Sequence, residues 1–150
     1  MNNACPASVI GTLAADLRAI VPLRAHAAGD GLPQPPDAAR MADILGYIDA
    51  HLGECELDER MIRTAFNLSR ATLYRAFQGL GGVARYIRER RLRLAYRHLQ
   101  RNPACSLTWL LYEVGFASER QFQRAFQAQF GMSPARWRLA CRSERRERLC

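Results

Sequence analysis

The chain contains no lysine, so all 22 of its basic residues are arginines, set against 14 acidic residues in a length of 150. It lacks an apolar run long enough to cross a bilayer and an N-terminal basic segment followed by an apolar stretch, so we expect neither a transmembrane nor a secreted protein. Its five cysteines are odd in number, widely spaced and without a C-x-x-C motif. This pattern indicates reduced thiols in a cytoplasmic protein.

Motifs for catalysis are also missing. The three histidines are dispersed, and neither a nucleophile-base pair nor a phosphate-binding loop is evident. The sequence therefore predicts a protein that is not an enzyme and that needs no cofactor or metal.

Positive charge is concentrated after residue 50. Residues 1–50 hold three Arg and five Asp, a net charge of −2, whereas residues 51–150 hold 19 Arg and nine acidic residues, a net charge of +10. A segment this basic attracts polyanions, either phosphate backbones or anionic membrane surfaces. We disfavour a membrane because the arginines lie on predicted helices whose apolar faces are needed for a core.

Two stretches, residues 69–78 and 118–127, echo each other 49 positions apart, with Arg-Ala-Phe-Gln recurring in register. Each stretch follows a short apolar segment and a tight turn, which is the outline of a helix-turn-helix. Within the repeats, apolar residues four positions apart are predicted to hold the second helix onto the first. These are Leu73 and Phe77 in one unit, and Phe122 and Phe126 in the other.

The remaining pattern predicts an all-α fold, because no segment has the features of a strand. A long helix is expected over residues 82–100, and the stretch 142–148 is expected to be a frayed, solvated end. Asn67 is expected to adopt a left-handed conformation in the first turn. N-caps are predicted at Asp37, Asp58, Ser69, Ser106, Ser118 and Ser133.

A Gly/Pro-rich linker over residues 29–36 divides the chain into two predicted regions. Residues 1–36 are predicted to form an N-terminal helix and linker, and residues 37–150 a double helix-turn-helix domain with a basic tail. The helix over residues 7–28 is amphipathic, and either packing on the chain's own core or forming a homodimer would bury its apolar stripe.

The exposed faces of the two repeated helices carry arginine, glutamine, glutamate and tyrosine, which suit the base edges of the DNA major groove. The long helix between them spans roughly 27–30 Å, close to one turn of DNA, so one monomer could fill two successive grooves. Its arginines are better placed for phosphates than for bases. Each of these faces could also be a solvated surface, and the long helix's arginines could form salt bridges.

From about Met41 to Arg138 the chain resembles the DNA-binding domain of the AraC/XylS family of bacterial transcription regulators. The resemblance is strongest over residues 115–138, where Gly115-Phe116, the run from Phe122 through Arg124 to Phe126, and Gly131-Met132-Ser133-Pro134 match the family signature. It implies seven helices, two helix-turn-helix units joined by a long helix, and binding of two successive major grooves to activate or repress a promoter.

The resemblance also implies site residues. The expected base contacts are Ala71, Tyr74, Arg75, Glu119, Arg120, Gln123 and Arg124. The expected phosphate contacts are Ser69, Arg70, Arg91, Ser118 and Arg136. The expected partners are double-stranded DNA, with RNA polymerase and a second copy of the chain as further candidates, and the expected location is the cytoplasm, on the nucleoid.

The chain departs from the family pattern where a small residue usually stands in the first helix of each unit. Arg63 and Leu111 occupy those positions, and we expect such side chains to push the helices apart or to change their angle. The departures leave a second hypothesis open, in which a degenerate double helix-turn-helix binds a protein partner and has only nonspecific affinity for DNA. The 40 residues before the match leave no room for the effector-binding domain that the family generally carries, so residues 7–28 are either the last helix of such a domain or part of a naturally short regulator. If the domain is missing, we expect no small molecule to regulate binding.

Overall fold

The computed structural model describes residues 36–147, and in that range the chain is all-helical, with seven α-helices and no strand. The predicted helix over residues 7–28 and most of the linker lie outside the described residues. The helices are α1 (Ala38–Ala50), α2 (Glu59–Phe66), α3 (Arg70–Phe77), α4 (Val83–Arg101), α5 (Leu107–Glu113), α6 (Glu119–Phe130) and α7 (Pro134–Glu147).

Short polar side chains begin most of these helices, as predicted. Asp37, Asp58, Ser69 and Ser106 each accept a hydrogen bond from a backbone N–H in the first turn of the helix that follows. Ser133 does the same for α7, its Oγ lying 3.3 Å from the Arg136 nitrogen. Ser118 occupies the N-cap position of α6 but makes no side-chain capping bond, which differs from the prediction.

The helices enclose two separate cores. The first contains buried residues of α1, α2 and α3 together with Val83 and Ile87 of α4. The second contains buried residues of α5 and α6 together with Leu92, Ala95 and Leu99 of α4. Helix α4 is therefore common to both helix-turn-helix units, which we define as α2–α3 and α5–α6.

The turns of the two units use different residues for the same backbone conformation. Asn67, between α2 and α3, has φ 49°, so the predicted left-handed residue is confirmed. Gly115, between α5 and α6, is buried and has φ 81°, a conformation that glycine adopts without the steric cost of a Cβ atom.

The C-terminal segment departs from the prediction of a frayed end, because α7 continues to Glu147. Three of its arginines donate hydrogen bonds to carbonyl oxygens at the end of α4 and in the loop that follows: Arg138 to Cys105, Arg142 to Pro103 and Arg145 to Arg101, at 3.1, 2.8 and 2.7 Å. Carbonyls at a helix C-terminus lack intrahelical donors, and cations there are favourable. Polar contacts, which apolar periodicity does not reveal, therefore order this end.

We expect Arg142→Ala to lower the free energy of unfolding by about 1 kcal/mol, because a charged donor to the Pro103 carbonyl is lost from a partly exposed site. Urea denaturation followed by circular dichroism measures this. The matched control is Arg146→Ala, since Arg146 is exposed on the same helix. Equal stability of the two variants would contradict a structural role for Arg142.

Candidate nucleic-acid interface

Helix α3 is held in place by its apolar side. Leu73 and Phe77 are completely buried in the first core, and Thr72 is nearly so. Ser69 accepts a hydrogen bond from the Thr72 backbone N–H at 3.1 Å, and the two hydroxyl oxygens lie 2.8 Å apart. The cap therefore fixes the first residue of the helix, and the buried side chains fix its rotation about its own axis.

That rotation exposes the predicted base-reading residues of the first unit. Ala71, Tyr74 and Arg75 are all exposed, and 65% of the Tyr74 surface is accessible, which is high for an aromatic residue. Arg70 is also exposed, with its Nε 3.4 Å from Glu59 Oε1. The first recognition surface, defined as Arg70, Ala71, Tyr74 and Arg75, thus combines a methyl group, an aromatic ring and two guanidinium groups.

Helix α6 is anchored in the same way. Phe122 and Phe126 are buried in the second core, with ring centroids 5.7 Å apart. The opposite side of α6 is exposed. We define the second recognition surface as Glu119, Arg120, Gln123 and Arg124. Within it, Gln123 Nε2 donates to Glu119 Oε1 at 2.8 Å, so these two side chains are already oriented relative to each other.

An open groove of about 940 Å³ lies between α4 and α6. We call it the arginine groove because five arginines line it: Arg85, Arg88, Arg93, Arg120 and Arg124. The acidic residue in its lining, Glu89, is paired with Arg85 at 2.8 Å. The groove is therefore strongly cationic, and it borders the second recognition surface because both contain Arg120 and Arg124. Arg85, Arg88 and Arg93 were not among the predicted site residues, although their helix was expected to contact phosphates.

Arg91, a predicted phosphate contact, does not line this groove. Its Nε donates to the Leu52 carbonyl at 2.9 Å and its Nη2 to the Glu54 carbonyl at 2.6 Å. Burial lowers the pKa of this guanidinium, but an arginine remains protonated at neutral pH. These two hydrogen bonds indicate a structural role for Arg91, and its contact with a phosphate stays a prediction. A signal was available in the sequence, because Arg91 follows buried Ile87 by four positions and precedes buried Ala95 by four.

The remaining predicted phosphate contacts lie on the protein surface. Ser69 and Ser118 stand at the N-termini of α3 and α6, where backbone N–H groups can bind an anion, and Ser118 is exposed. Arg136 is exposed in the first turn of α7. Their contacts with DNA remain predictions.

The two unusual side chains of the first helices are accommodated. Leu111 is buried in the second core at 1% exposure. Arg63 is half-buried, donates from Nε to the Leu68 carbonyl at 3.4 Å and lies 3.8 Å from Glu59. Both units therefore retain closed cores despite these residues.

Within residues 36–147 no cluster of His, Cys, Asp and Glu has a composition that could hold a metal ion. In the same range, no helix has both the length and the apolarity needed to cross a membrane.

Comparison with known proteins agrees with this geometry. A family model described as a helix-turn-helix domain matches residues 62–140, more than half of the chain. The curated relatives include the transcriptional activator RhaS from Escherichia coli O139:H28, 32% identical over 99 residues, and RhaS from Enterobacter sp. strain 638, 30% identical over 120 residues. The matches cover 65% and 79% of this chain but only 35% and 42% of the relatives.

Solved structures share the fold. The DNA-binding domain of AdpA, a global transcriptional factor solved in complex with a target DNA, has a TM-score of 0.63 and 25% identity, covering 70% of this chain and 95% of that one. The C-terminal domain of AraT, a response regulator from Geobacillus stearothermophilus, has a TM-score of 0.62 and 22% identity, covering 67% and 84%.

Proposed function

This chain belongs to the AraC/XylS family of bacterial transcription regulators, and we propose that it binds specific DNA sequences by reading two adjacent major grooves. The observation that carries the proposal is that each unit anchors its second helix by two buried apolar residues and exposes a polar face on that helix. A helix presented in this way can enter a major groove.

The two recognition surfaces offer different chemistry to the bases. Arg75 and Arg124 can each donate two hydrogen bonds to a guanine edge, and Tyr74 can contact a thymine methyl group. In the second surface, the pairing of Glu119 with Gln123 orders two side chains that could meet cytosine and adenine. We therefore expect the two half-sites to differ in sequence.

The arginine groove supplies affinity for any duplex. Its guanidinium groups are suited to phosphates, and contacts with phosphates position a protein without distinguishing sequence. Because the groove borders the second recognition surface, we propose that it holds the DNA backbone beside the groove that α6 enters.

We further propose that binding activates transcription, as the names of the RhaS relatives suggest. RNA polymerase is the expected partner for that step. The predicted homodimer through residues 7–28 remains a prediction, because those residues lie outside the described part of the chain.

The second hypothesis, a protein-interaction module, is less favoured because Leu111 is buried in the second core and Arg63 donates to the Leu68 carbonyl within the first unit. An observation that favours it is the exposure of Trp109 and Tyr112 on α5, at 45% and 48%. The two hypotheses differ in specificity: a regulator binds its site roughly 10³-fold or more tightly than random DNA.

Selection of duplexes from a randomised library by the purified full chain tests the proposal. Fluorescence anisotropy then gives the affinity for the selected duplex and for a scrambled duplex of the same composition. We expect a bipartite motif whose halves lie about one helical turn apart. Binding without enrichment, steeply dependent on salt and equal for both duplexes, would favour the interaction module.

Arg75→Ala and Arg124→Ala are each expected to weaken binding to the selected duplex by about 1–3 kcal/mol and to relax the preference at one base pair, because a bidentate contact is lost. Repeating the selection with each variant measures both effects. Arg146→Ala is the matched control, since Arg146 is exposed but belongs to neither recognition surface. Equal losses on selected and scrambled duplexes would argue against base readout.

Arg88→Ala and Arg93→Ala should each weaken selected and scrambled duplexes by the same factor. Removing one phosphate contact should also reduce the slope of log affinity against log salt by about 1. Anisotropy titrations at several salt concentrations measure the slope. Arg101→Ala is the control, because Arg101 is an exposed arginine of α4 that does not line the groove. An unchanged slope would remove the arginine groove from the interface.

A further inference from the structure

The loop between α1 and α2, whose Leu52 is buried in the first core, meets the second helix-turn-helix unit at a backbone oxygen. The Leu52 carbonyl, in the loop between α1 and α2, accepts the hydrogen bond from Arg91 Nε at 2.9 Å. Gly115, in the turn between α5 and α6, lies against the same oxygen, since a Cβ atom at position 115 would be 2.3 Å from it and 2.8 Å from Arg91 Nε. We call this contact of Leu52, Arg91 and Gly115 the junction.

The position of Arg91 on α4 explains why it can reach both the α1–α2 loop and the turn of the second unit. At about 100° per residue, the stripe that enters the first core and the stripe that enters the second are separated by roughly 130° around the helix. Val83 and Ile87 form the first stripe, and Leu92, Ala95 and Leu99 form the second. Arg91 projects from between the two stripes, about midway in angle. Its half-buried guanidinium thus lies where the α1–α2 loop approaches the turn of the second unit.

Hydrogen bonds and close packing restrict the geometry of the junction. Arg91 makes two hydrogen bonds to carbonyls of one loop, because Nη2 also donates to the Glu54 oxygen at 2.6 Å. Charged donors make the stronger hydrogen bonds of proteins, and a planar guanidinium fixes their direction. Gly115 is buried at φ 81°, so its lack of a side chain serves both the turn and the close approach.

We propose that the junction fixes the orientation of α6 relative to α3 and thereby sets the base-pair spacing between half-sites that the chain accepts. This inference rests on the proposed function. The two cores are separate clusters joined through α4, so bending or twisting of that helix would move one recognition surface relative to the other. A direct contact between the α1–α2 loop, which packs in the first core, and the turn of the second unit resists this motion. A preorganised pair of binding surfaces binds a matching bipartite site more tightly.

Arg91 is then a positioning residue, and its role differs measurably from that of a phosphate ligand. Loss of a phosphate contact weakens every duplex alike and reduces the salt dependence. Loss of a positioning contact weakens the duplex with the selected spacing most, leaves single half-sites unaffected and does not change the salt dependence.

The test uses the full chain with Arg91→Met, which keeps the apolar stem and removes both donors. Arg97→Met, an exposed arginine of the same helix, is the matched control. One duplex carries both selected half-sites at the selected spacing, and others carry them at spacings one or two base pairs shorter or longer. A last duplex carries only the half-site of the first unit. Anisotropy at two salt concentrations gives each affinity.

For Arg91→Met we expect affinity at the selected spacing to fall about tenfold, with a smaller loss at the other spacings and none on the single half-site. Arg97→Met should retain the wild-type spacing profile. A uniform loss on all duplexes, or an unchanged spacing profile, would overturn the role of the junction. A wild-type chain without any spacing preference would instead refute the proposed function, so the two failures are distinguishable.

Gly115→Ala provides a second variant, because its methyl group would press on both the Leu52 oxygen and Arg91 Nε while the Arg91 donors are kept. Spin labels are attached at Gln78→Cys, next to the C-terminal end of α3, and at Gln127→Cys in α6, in a chain whose native cysteines are replaced by serine. Dipolar spectroscopy without DNA then reports the distance between the two labels. We expect a displaced distance distribution for Gly115→Ala and a broadened one for Arg91→Met. Distributions identical to that of the parent chain in both variants would overturn the proposal.

Discussion

The packing of α4 into two cores at once is the constraint on which the rest of the structure depends. Each core needs an apolar stripe from this helix, and the two stripes face directions roughly 130° apart. Once α4 is formed, the side on which each unit packs is therefore determined by the sequence of one helix. Insertion of a single residue between Ile87 and Leu92 would rotate one unit relative to the other by about 100°.

This shared helix also determines where the charged surfaces lie. In the N-terminal half of α4, the side of the helix that is in line with the second stripe does not pack in a core. Arg85 and Arg88 lie on this side and line the arginine groove. The angle between the stripes leaves room for the guanidinium of Arg91. Neighbouring arginines on α4 thus have different surroundings, because the buried face of the N-terminal half of the helix points in a different direction from that of the C-terminal half.

Much of the fold could be predicted from local patterns, because caps and apolar spacing are local. Asp37, Asp58, Ser69 and Ser106 cap helices as expected, and the buried pairs of α3 and α6 are those predicted from their spacing. The role of Arg91 could not be obtained by counting charge, because its hydrogen-bond partners lie 37 and 39 positions away. The ordered end of α7 was missed for the same reason, since Arg142 bonds to a carbonyl 39 positions earlier. The recognition surfaces are exposed as their helical phase predicts. The base contacts proposed for them depend on the geometry of a bound duplex as well as on the chain.

Several of the arginines that stand in place of lysine in this chain have structural roles. Several arginines donate to backbone carbonyls far along the chain, among them Arg40 to Phe66 at 2.7 Å, and the α7 arginines to the end of α4. A guanidinium has donors on several sides and can hold a carbonyl while its stem packs on apolar neighbours. The total of 22 arginines therefore overstates the number of cations available to phosphates, although every charge contributes to the long-range field. Because the salt dependence of DNA binding counts direct phosphate neutralisation, it should reflect the arginine groove and the recognition surfaces rather than the total of 22 arginines.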